Sequence, residues 1–196
     1  MTRSVEFWFD VGSPAAYLAW TQMPALARDT GAAVQYRPFL LGGVFQATGN
    51  RSPMEVPAKR RYMVDDLQRF ARRYGVPFAH NPHFPINTLA LMRGALGLQQ
   101  RQPGRLQPYG DAVYRAIWVD GRNLNDPAVV GAVLQDAGFD AQALLALAQD
   151  PQVKDGLKAA TQQAVDRGVF GAPTFFVGDQ MFWGQDRLDH VKEALQ

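Results

Sequence analysis

Residues 168–188, GVFGAPTFFVGDQMFWGQDRL, carry the pattern that decides the fold. Thr174 to Val177 and Gln180 to Trp183 are short apolar runs, and Gly178-Asp179 between them has the length and composition of a two-residue turn. Such a pair reads as a tight β-hairpin. Beyond it, Asp186 to Leu195 (DRLDHVKEAL) places Leu188, Val191 and Leu195 at spacings of three and four, which predicts an amphipathic closing helix. This end of the chain is ββα.

The opposite end has a complementary order. Val5 to Phe9 is a β-branched and aromatic run interrupted only by Glu6, and it reads as a strand with one or both faces covered. Asp10-Val11-Gly12 is a turn, Ser13 has N-cap chemistry, and Pro14 suits a first helical position, where its missing N–H is harmless. Residues 15–29 are rich in Ala and Leu, Gly31 is the expected C′ residue, and Pro24 is expected to kink the helix rather than break it. Ala33 to Phe39 alternates Val34, Tyr36 and Pro38 with polar partners, giving a second strand and a βαβ start that favours parallel pairing. Between the two ends, helices are expected near 55–74, 85–100, 108–119, 126–137, 140–149 and 151–168. A four-stranded mixed sheet built from both chain ends around a helical insert is an α/β, thioredoxin-like fold with a large all-helical insertion. Its sheet domain comprises residues 1–44 plus 169–196 and its insert residues 45–168, with Gly42-Gly43 and Gly168 as the joints. In that plan residues 13 and 173 meet.

Composition narrows the function. The 196 residues are 47% hydrophobic and 19% charged, which suits one domain with a sizeable insertion and excludes global disorder. Lys plus Arg number 20 against 18 Asp plus Glu, a net charge of +2, too small for a nucleic-acid footprint. The absence of cysteine removes disulfides, thiolate metal sites, Cys nucleophiles and any Cys-x-x-Cys redox pair. No stretch near Met1 is apolar enough for a signal peptide or a membrane span, so the expected location is the cytoplasm, away from the membrane.

Three places can carry chemistry. Ser13 caps its helix, or it uses the unpaired N–H groups and positive dipole end there to favour a thiolate or other anion. Ala172-Pro173, directly ahead of an apolar strand, is an ordinary trans proline at a strand start, or a cis bond that leaves the Ala172 backbone outward as an edge for an extended peptide. In Trp183-Gly184-Gln185-Asp186-Arg187, Gln185 or Asp186 caps the last helix, or the segment offers main-chain N–H groups to a small ligand's amine or carboxylate. Gly49-Asn50 with Pro53, Pro57 and Lys59-Arg60-Arg61 is a turn-rich entry into the insert, whose cations face a carboxylate or form a solvated helix face. His80 and His83 lack an evident third ligand, so no metal site is expected. Gly12-Ser13-Pro14 lacks the Gly-x-Ser-x-Gly spacing of a nucleophile elbow.

Taken together, FDVGSPAAYLA (9–19), TGNRSPMEVPAKRRYM (48–63), NTLALMRG (87–94) and residues 168–188 resemble the 2-hydroxychromene-2-carboxylate isomerases. These belong to the wider group of kappa-class glutathione transferases and DsbA-like oxidoreductases. The resemblance spans essentially the whole chain in order. It implies a thioredoxin fold with a helical insert, usually a homodimer, that binds glutathione at the sheet domain and a small aromatic substrate between the domains. Ser13 matches the family's catalytic serine, where DsbA-like relatives keep the first cysteine of their redox pair, and would hydrogen-bond the glutathione thiolate. Ala172 matches the position before the cis proline, whose main chain pairs with the cysteinyl unit. Trp183, Gln185 and Asp186 match the segment that contacts the γ-glutamyl end, while Asn50 and Pro57 or Lys59 match the remaining glutathione contacts. Phe84 and Asn87 fall in the substrate-side region, and Tyr17, one helical turn past Ser13, lines the pocket or packs in the core. Gln46 departs from the lysine that some chromene isomerases carry nearby, leaving Lys59 or an arginine to meet a substrate carboxylate.

The implied reaction interconverts 2-hydroxychromene-2-carboxylate and trans-o-hydroxybenzylidenepyruvate, a step of aromatic (naphthalene) catabolism, by reversible thiolate addition. Two other readings compete: a kappa-like glutathione transferase and a non-catalytic thioredoxin-fold binding module. A DsbA-like oxidant is excluded by the missing thiols.

Overall fold

A computed structural model describes residues 3–196. Its centre is the strand Ser4–Phe9 (β1), in which Val5, Phe7 and Phe9 are fully buried and Trp8 is almost so. Alternation sends Val5, Phe7 and Phe9 to one face and Glu6, Trp8 and Asp10 to the other. β1 pairs in parallel with Ala33–Pro38 (β2), with Phe7 opposite Tyr36, and antiparallel with Thr174–Val177 (β3), with Phe7 opposite Phe175. Gln180–Trp183 (β4) completes the hairpin, and the sheet order is β2-β1-β3-β4. Cross-strand aromatic stacking holds the register: the Phe7 ring lies 5.2 Å from Phe175 and 5.9 Å from Tyr36.

The helix Pro14–Thr30 (α1) starts at Ser13, runs without interruption through exposed Pro24, and ends at Gly31, whose left-handed φ of 67° closes it. It covers the Phe7 face of the sheet together with the closing helix Leu188–Ala194 (α9). The second face holds a smaller cluster in which Trp8 meets Phe39, Val44, Ala164 and Phe176. Two of those come from the helices Leu41–Thr48 (α2) and Pro151–Asp166 (α8).

Here the structure corrects the sequence reading. Gly42 and Gly43, read as a joint, lie in the opening turn of α2, a helix the sequence reading did not expect. A Cβ on Gly43 would lie 2.9 Å from the Thr161 methyl, so a glycine there lets α2 press against α8. Between them run Pro57–Tyr74 (α3), Leu89–Arg101 (α4), Leu106–Trp118 (α5), Pro127–Asp136 (α6) and Ala141–Gln149 (α7). The expected start of the second insert helix at residue 85 also moves. Residues 85–88 form a loop, in which Asn87 accepts from the Leu89 N–H through its side chain (3.1 Å) and gives its own N–H to Asn125 (2.8 Å). A hydrophobic cluster runs without a break from β1 into the insert, through Trp20, Tyr114, Trp118 and Leu144.

Candidate active site

Ser13 sits where β1 hands over to α1. Its Oγ accepts the Ala16 N–H at 3.2 Å, an ordinary N-cap worth about 1 kcal/mol. The same hydroxyl donates to the Ala172 carbonyl at 2.8 Å, across 159 positions of chain. Capping and a second role therefore coexist, because a hydroxyl is donor and acceptor at once. Ser13 is 6% exposed, at the positive end of a 17-residue helix.

Ala172 belongs to the loop that leads into β3, and its bond to Pro173 is cis. Among the described residues the Ala172 N–H has no hydrogen-bond partner, and its carbonyl takes only the Ser13 hydroxyl. The loop is held from three sides. Asn50 Nδ2 donates to the Phe170 carbonyl (2.8 Å), Thr174 Oγ1 to the Gly171 carbonyl (2.8 Å), and the Gly184 N–H to the Pro173 carbonyl (3.0 Å). Half-exposed Trp183 packs its indole 4.9 Å from the Phe170 ring and close over Gly171, where a Cβ would lie 2.4 Å from the indole nitrogen. Gly171 is a glycine because Trp183 occupies the space of a side chain.

The structure thus gathers Ser13, Ala172, Asn50 and Trp183 around one loop. Gln185 and Asp186 follow Trp183 after Gly184 and border a cleft of about 90 Å³ whose rim carries Arg73, Tyr74, Asp189 and Lys192. The Tyr74 hydroxyl donates to the Gln185 carbonyl at 2.8 Å, tying α3 to this turn, and burial pushes that phenol up to about 12. The side chains of the remaining candidates make no hydrogen bond to Ser13 or Ala172 among the described residues; Tyr17 meets Ser13 only through the helix backbone, its N–H donating to the Ser13 carbonyl at 3.1 Å. Pro57 and Lys59 are exposed in the first turn of α3, Lys59 beside Tyr62 and Pro53. Tyr17 is buried, donates to the Pro77 carbonyl at 2.7 Å and packs against Phe78 and Tyr114; it borders a separate groove with Trp20 and Tyr36. Phe84 lies 5.9 Å from the Trp118 ring, and Trp118 in turn donates to the Val11 carbonyl (2.9 Å). Asn87 is exposed and serves its own loop.

The sequence reading passed over Asp10. It is 1% exposed, with Oδ1 accepting the Gly12 N–H (2.9 Å) and Oδ2 accepting the Leu41 N–H (2.8 Å) and the Thr88 hydroxyl (3.1 Å). Burial pushes its carboxyl above the ordinary aspartate value, against the pull of those three bonds. The Asp-x-Gly spacing of a local turn was legible in the sequence, whereas its other two partners are brought in by folding. No group of three or more His, Cys, Asp or Glu side chains is arranged to hold a metal among the described residues.

A hydroxyl at a helix start beside an unpaired backbone edge is an environment that favours an anion, and the chain has no thiol of its own to supply one. Similar proteins have the same architecture. A family model described as the DSBA-like thioredoxin domain matches residues 4–196. The 2-hydroxychromene-2-carboxylate isomerase of Sphingobium xenophagum is 37% identical over 197 residues, covering 100% of this chain and 99% of that one.

The chain belongs to this isomerase family.

A solved structure of a selenomethionine-labelled 2-hydroxychromene-2-carboxylate isomerase superposes with a TM-score of 0.86 at 30% identity, over 98% of this chain and 94% of that one. Human glutathione S-transferase kappa 1 is a more distant relative, 28% identical over 100% of this chain and 92% of its own length. In this chain the Ser13–Ala172 junction joins the start of α1 to the loop before β3, and the helical region bonds to the neighbouring Val11 and Gln185 through Trp118 and Tyr74.

Proposed function

We infer that the protein is a 2-hydroxychromene-2-carboxylate isomerase that interconverts this compound with trans-o-hydroxybenzylidenepyruvate, or a close analogue, and that it does so with glutathione. The observation that carries this reading is the Ser13 hydroxyl, capping α1 and hydrogen-bonded to a backbone carbonyl at the edge of the sheet.

The residues fit the tripeptide. The unpartnered Ala172 N–H and the carbonyl beside it form a short strand edge onto which an extended peptide can pair. Glutathione, when bound, supplies the thiol whose thiolate adds reversibly to the conjugated system, with no net redox change. Ser13 would turn its proton from the Ala172 carbonyl toward that sulfur, which frees the carbonyl to accept a peptide N–H. A neutral hydrogen bond is then exchanged for a charge-assisted one, roughly twice as strong. With the helix start behind it, this holds the thiol below its ordinary value of about 8.5. Asn50 and Trp183 keep the 170–173 loop in place, and Asp186 and Gln185 would meet the γ-glutamyl end. Lys59 and Pro57 would close on the other end, and Phe84, Asn87 and Tyr17 would stand toward the aromatic substrate.

The test is Ser13→Ala. It should fold, bind glutathione and lose about a hundredfold or more of its isomerisation rate; unchanged turnover removes the assigned role. The kappa-class relative motivates a second reading, a glutathione transferase. Incubation with a chloronitrobenzene separates the two, because a transferase accumulates a stable thioether product. The isomerase reading also carries a homodimer working in the cytoplasm, which light scattering and cell fractionation check. No helix among the described residues is long and apolar enough to cross a membrane.

A further inference from the structure

We propose that Asp10 is the positioning residue of the Ser13 site: its buried carboxylate sets the turn that aims the Ser13 hydroxyl. This rests on the glutathione reading above for its kinetic part, and on geometry alone for its structural part.

The residue holds Ser13 by both of its ends. Its carbonyl accepts the Ser13 N–H at 3.0 Å, and its Oδ1 accepts the N–H of Gly12 at 2.9 Å. Gly12 is pressed so closely on Thr88 that a Cβ would lie 2.9 Å from the Thr88 methyl, leaving the turn no alternative room. Oδ2 reaches two segments remote in sequence, the first residue of α2 and the residue that begins α4. Neither helix caps itself: Leu40 has no side-chain oxygen, and Thr88 turns its hydroxyl to Asp10 instead of to its own helix. One carboxylate therefore sets the mutual placement of the Ser13 turn, the α2 start and the entry to α4.

The residue type follows from the donors. Two N–H groups and one hydroxyl converge on two oxygens, and a carboxylate offers only acceptors. An asparagine of the same shape must turn an NH2 group toward the Gly12 N–H or toward the Leu41 N–H and Thr88 hydroxyl. Whichever way it flips, donor faces donor in a site closed to water. No ion pair involves Asp10 among the described residues, so the charge is held by neutral donors at helix starts. This is the environment in which a helix dipole favours an anion. The titratable group against it is Tyr114, which donates to the Asp10 carbonyl at 3.4 Å and whose phenol is pushed far up by burial, then by the Asp10 charge.

The Asp10 charge and the Asp10 geometry make opposite predictions for a bound thiol. A nearby negative charge disfavours a thiolate, whereas a well-aimed hydroxyl stabilises one. Positioning is therefore tested by Asp10→Asn, read by the ultraviolet thiolate titration of bound glutathione, steady-state kinetics and a crystal structure. The expected result is an upward shift of the thiol pKa and a kcat lowered about tenfold or more. The glutathione KM should change much less, and Ser13 Oγ should be displaced from the Ala172 carbonyl. Glu6→Gln, within β1 and away from the Ser13 turn, is the control for a change that only lowers stability, and it should leave kcat and thiol pKa as in the wild type.

A downward or absent pKa shift with Ser13 still bonded to Ala172 overturns the proposal. Should Asp10→Asn fail to fold, Thr88→Val decides. It keeps the methyl that Gly12 touches and removes one donor, so it should shift the thiol pKa upward by a smaller amount; no shift overturns the inference. If the wild type itself shows no thiolate with glutathione, the functional reading falls, and the crystallographic position of Ser13 alone judges Asp10.

Discussion

Two carboxylates share the second face of the sheet, Glu6 within β1 and Asp10 just past its end, and the fold handles them in opposite ways. Glu6, with a side chain 23% exposed, is met by ionic and polar donors: Trp8 Nε1 at 2.8 Å, Arg37 at 3.3 Å, and Arg167 in direct contact. Burial pushes its carboxyl up, but the bonds from Trp8 and Arg167 and the charges of both arginines outweigh it, and the net value lies below the ordinary 4.5. Among the described residues Asp10 is met by no cation, only by two N–H groups and a hydroxyl, and its value is raised. A part-exposed charge on the face of a sheet is stabilised by cations that solvent screens. A charge beneath the Ser13 turn is held by fixed donors that also hold the backbone. The part-exposed carboxylate serves stability, and the buried one serves geometry.

The largest expected effect tests whether function is confined to the Ser13 turn. Ser13→Ala should lower turnover by about two orders of magnitude while lowering stability by only about 1 kcal/mol, the value of a cap. Kinetics at saturating glutathione beside a thermal melt give both numbers. If a change at Glu6 lowered turnover equally, the contrast would vanish.

Next in size is Gly171→Ala. Its Cβ would lie 2.4 Å from the Trp183 indole nitrogen, so the indole must move from the Phe170–Ala172 loop. Glutathione affinity should weaken by roughly tenfold, the consequence of about 1 to 3 kcal/mol of overpacking, with the fold retained. Isothermal calorimetry measures it, and unchanged affinity would remove Trp183 from the binding surface.

A smaller effect belongs to Glu6→Gln. A carboxyl whose folded value is depressed contributes stability above its unfolded value, and that contribution is lost as pH falls through the folded one. Discounted for solvent screening, the variant should lose about 1 kcal/mol at neutral pH. The difference from wild type should shrink as pH drops below 4.5. Asp10, with its raised value, has the opposite sign: its ionisation weakens the fold as pH rises through the folded value. Urea denaturation at neutral and acid pH distinguishes the two slopes. The smallest effect is that of Tyr74→Phe, which removes the hydrogen bond to the Gln185 carbonyl and should cost about 1 kcal/mol with at most a few-fold change in glutathione affinity.

Most of the architecture could be read directly. The hairpin at residues 174–183, the N-cap at Ser13 and the terminator at Gly31 are local matters, because turn chemistry and side-chain periodicity act over a few residues. The early helix α2 could not, since Gly42-Gly43 has the local signature of a joint, and its close packing against Thr161 of α8 is a tertiary contact. The pairing of Ser13 with the 172–173 segment was legible as topology, through the expected meeting of both chain ends, and its hydrogen bond is what folding added.

What the sequence alone determined is which chemistries are open: no cysteine, so no thiol chemistry of the chain's own, and a serine at a helix start, where an anion is favoured. What only the tertiary structure decided is the aim of that serine. Its partner Ala172 and the Asp10 partners Leu41 and Thr88 are 159, 31 and 78 positions away. Local propensity has no term for groups so far apart in the chain. Their placement follows from closing the sheet over a shared core, where each buried polar group must find its partner or lose a hydrogen bond to water unreplaced.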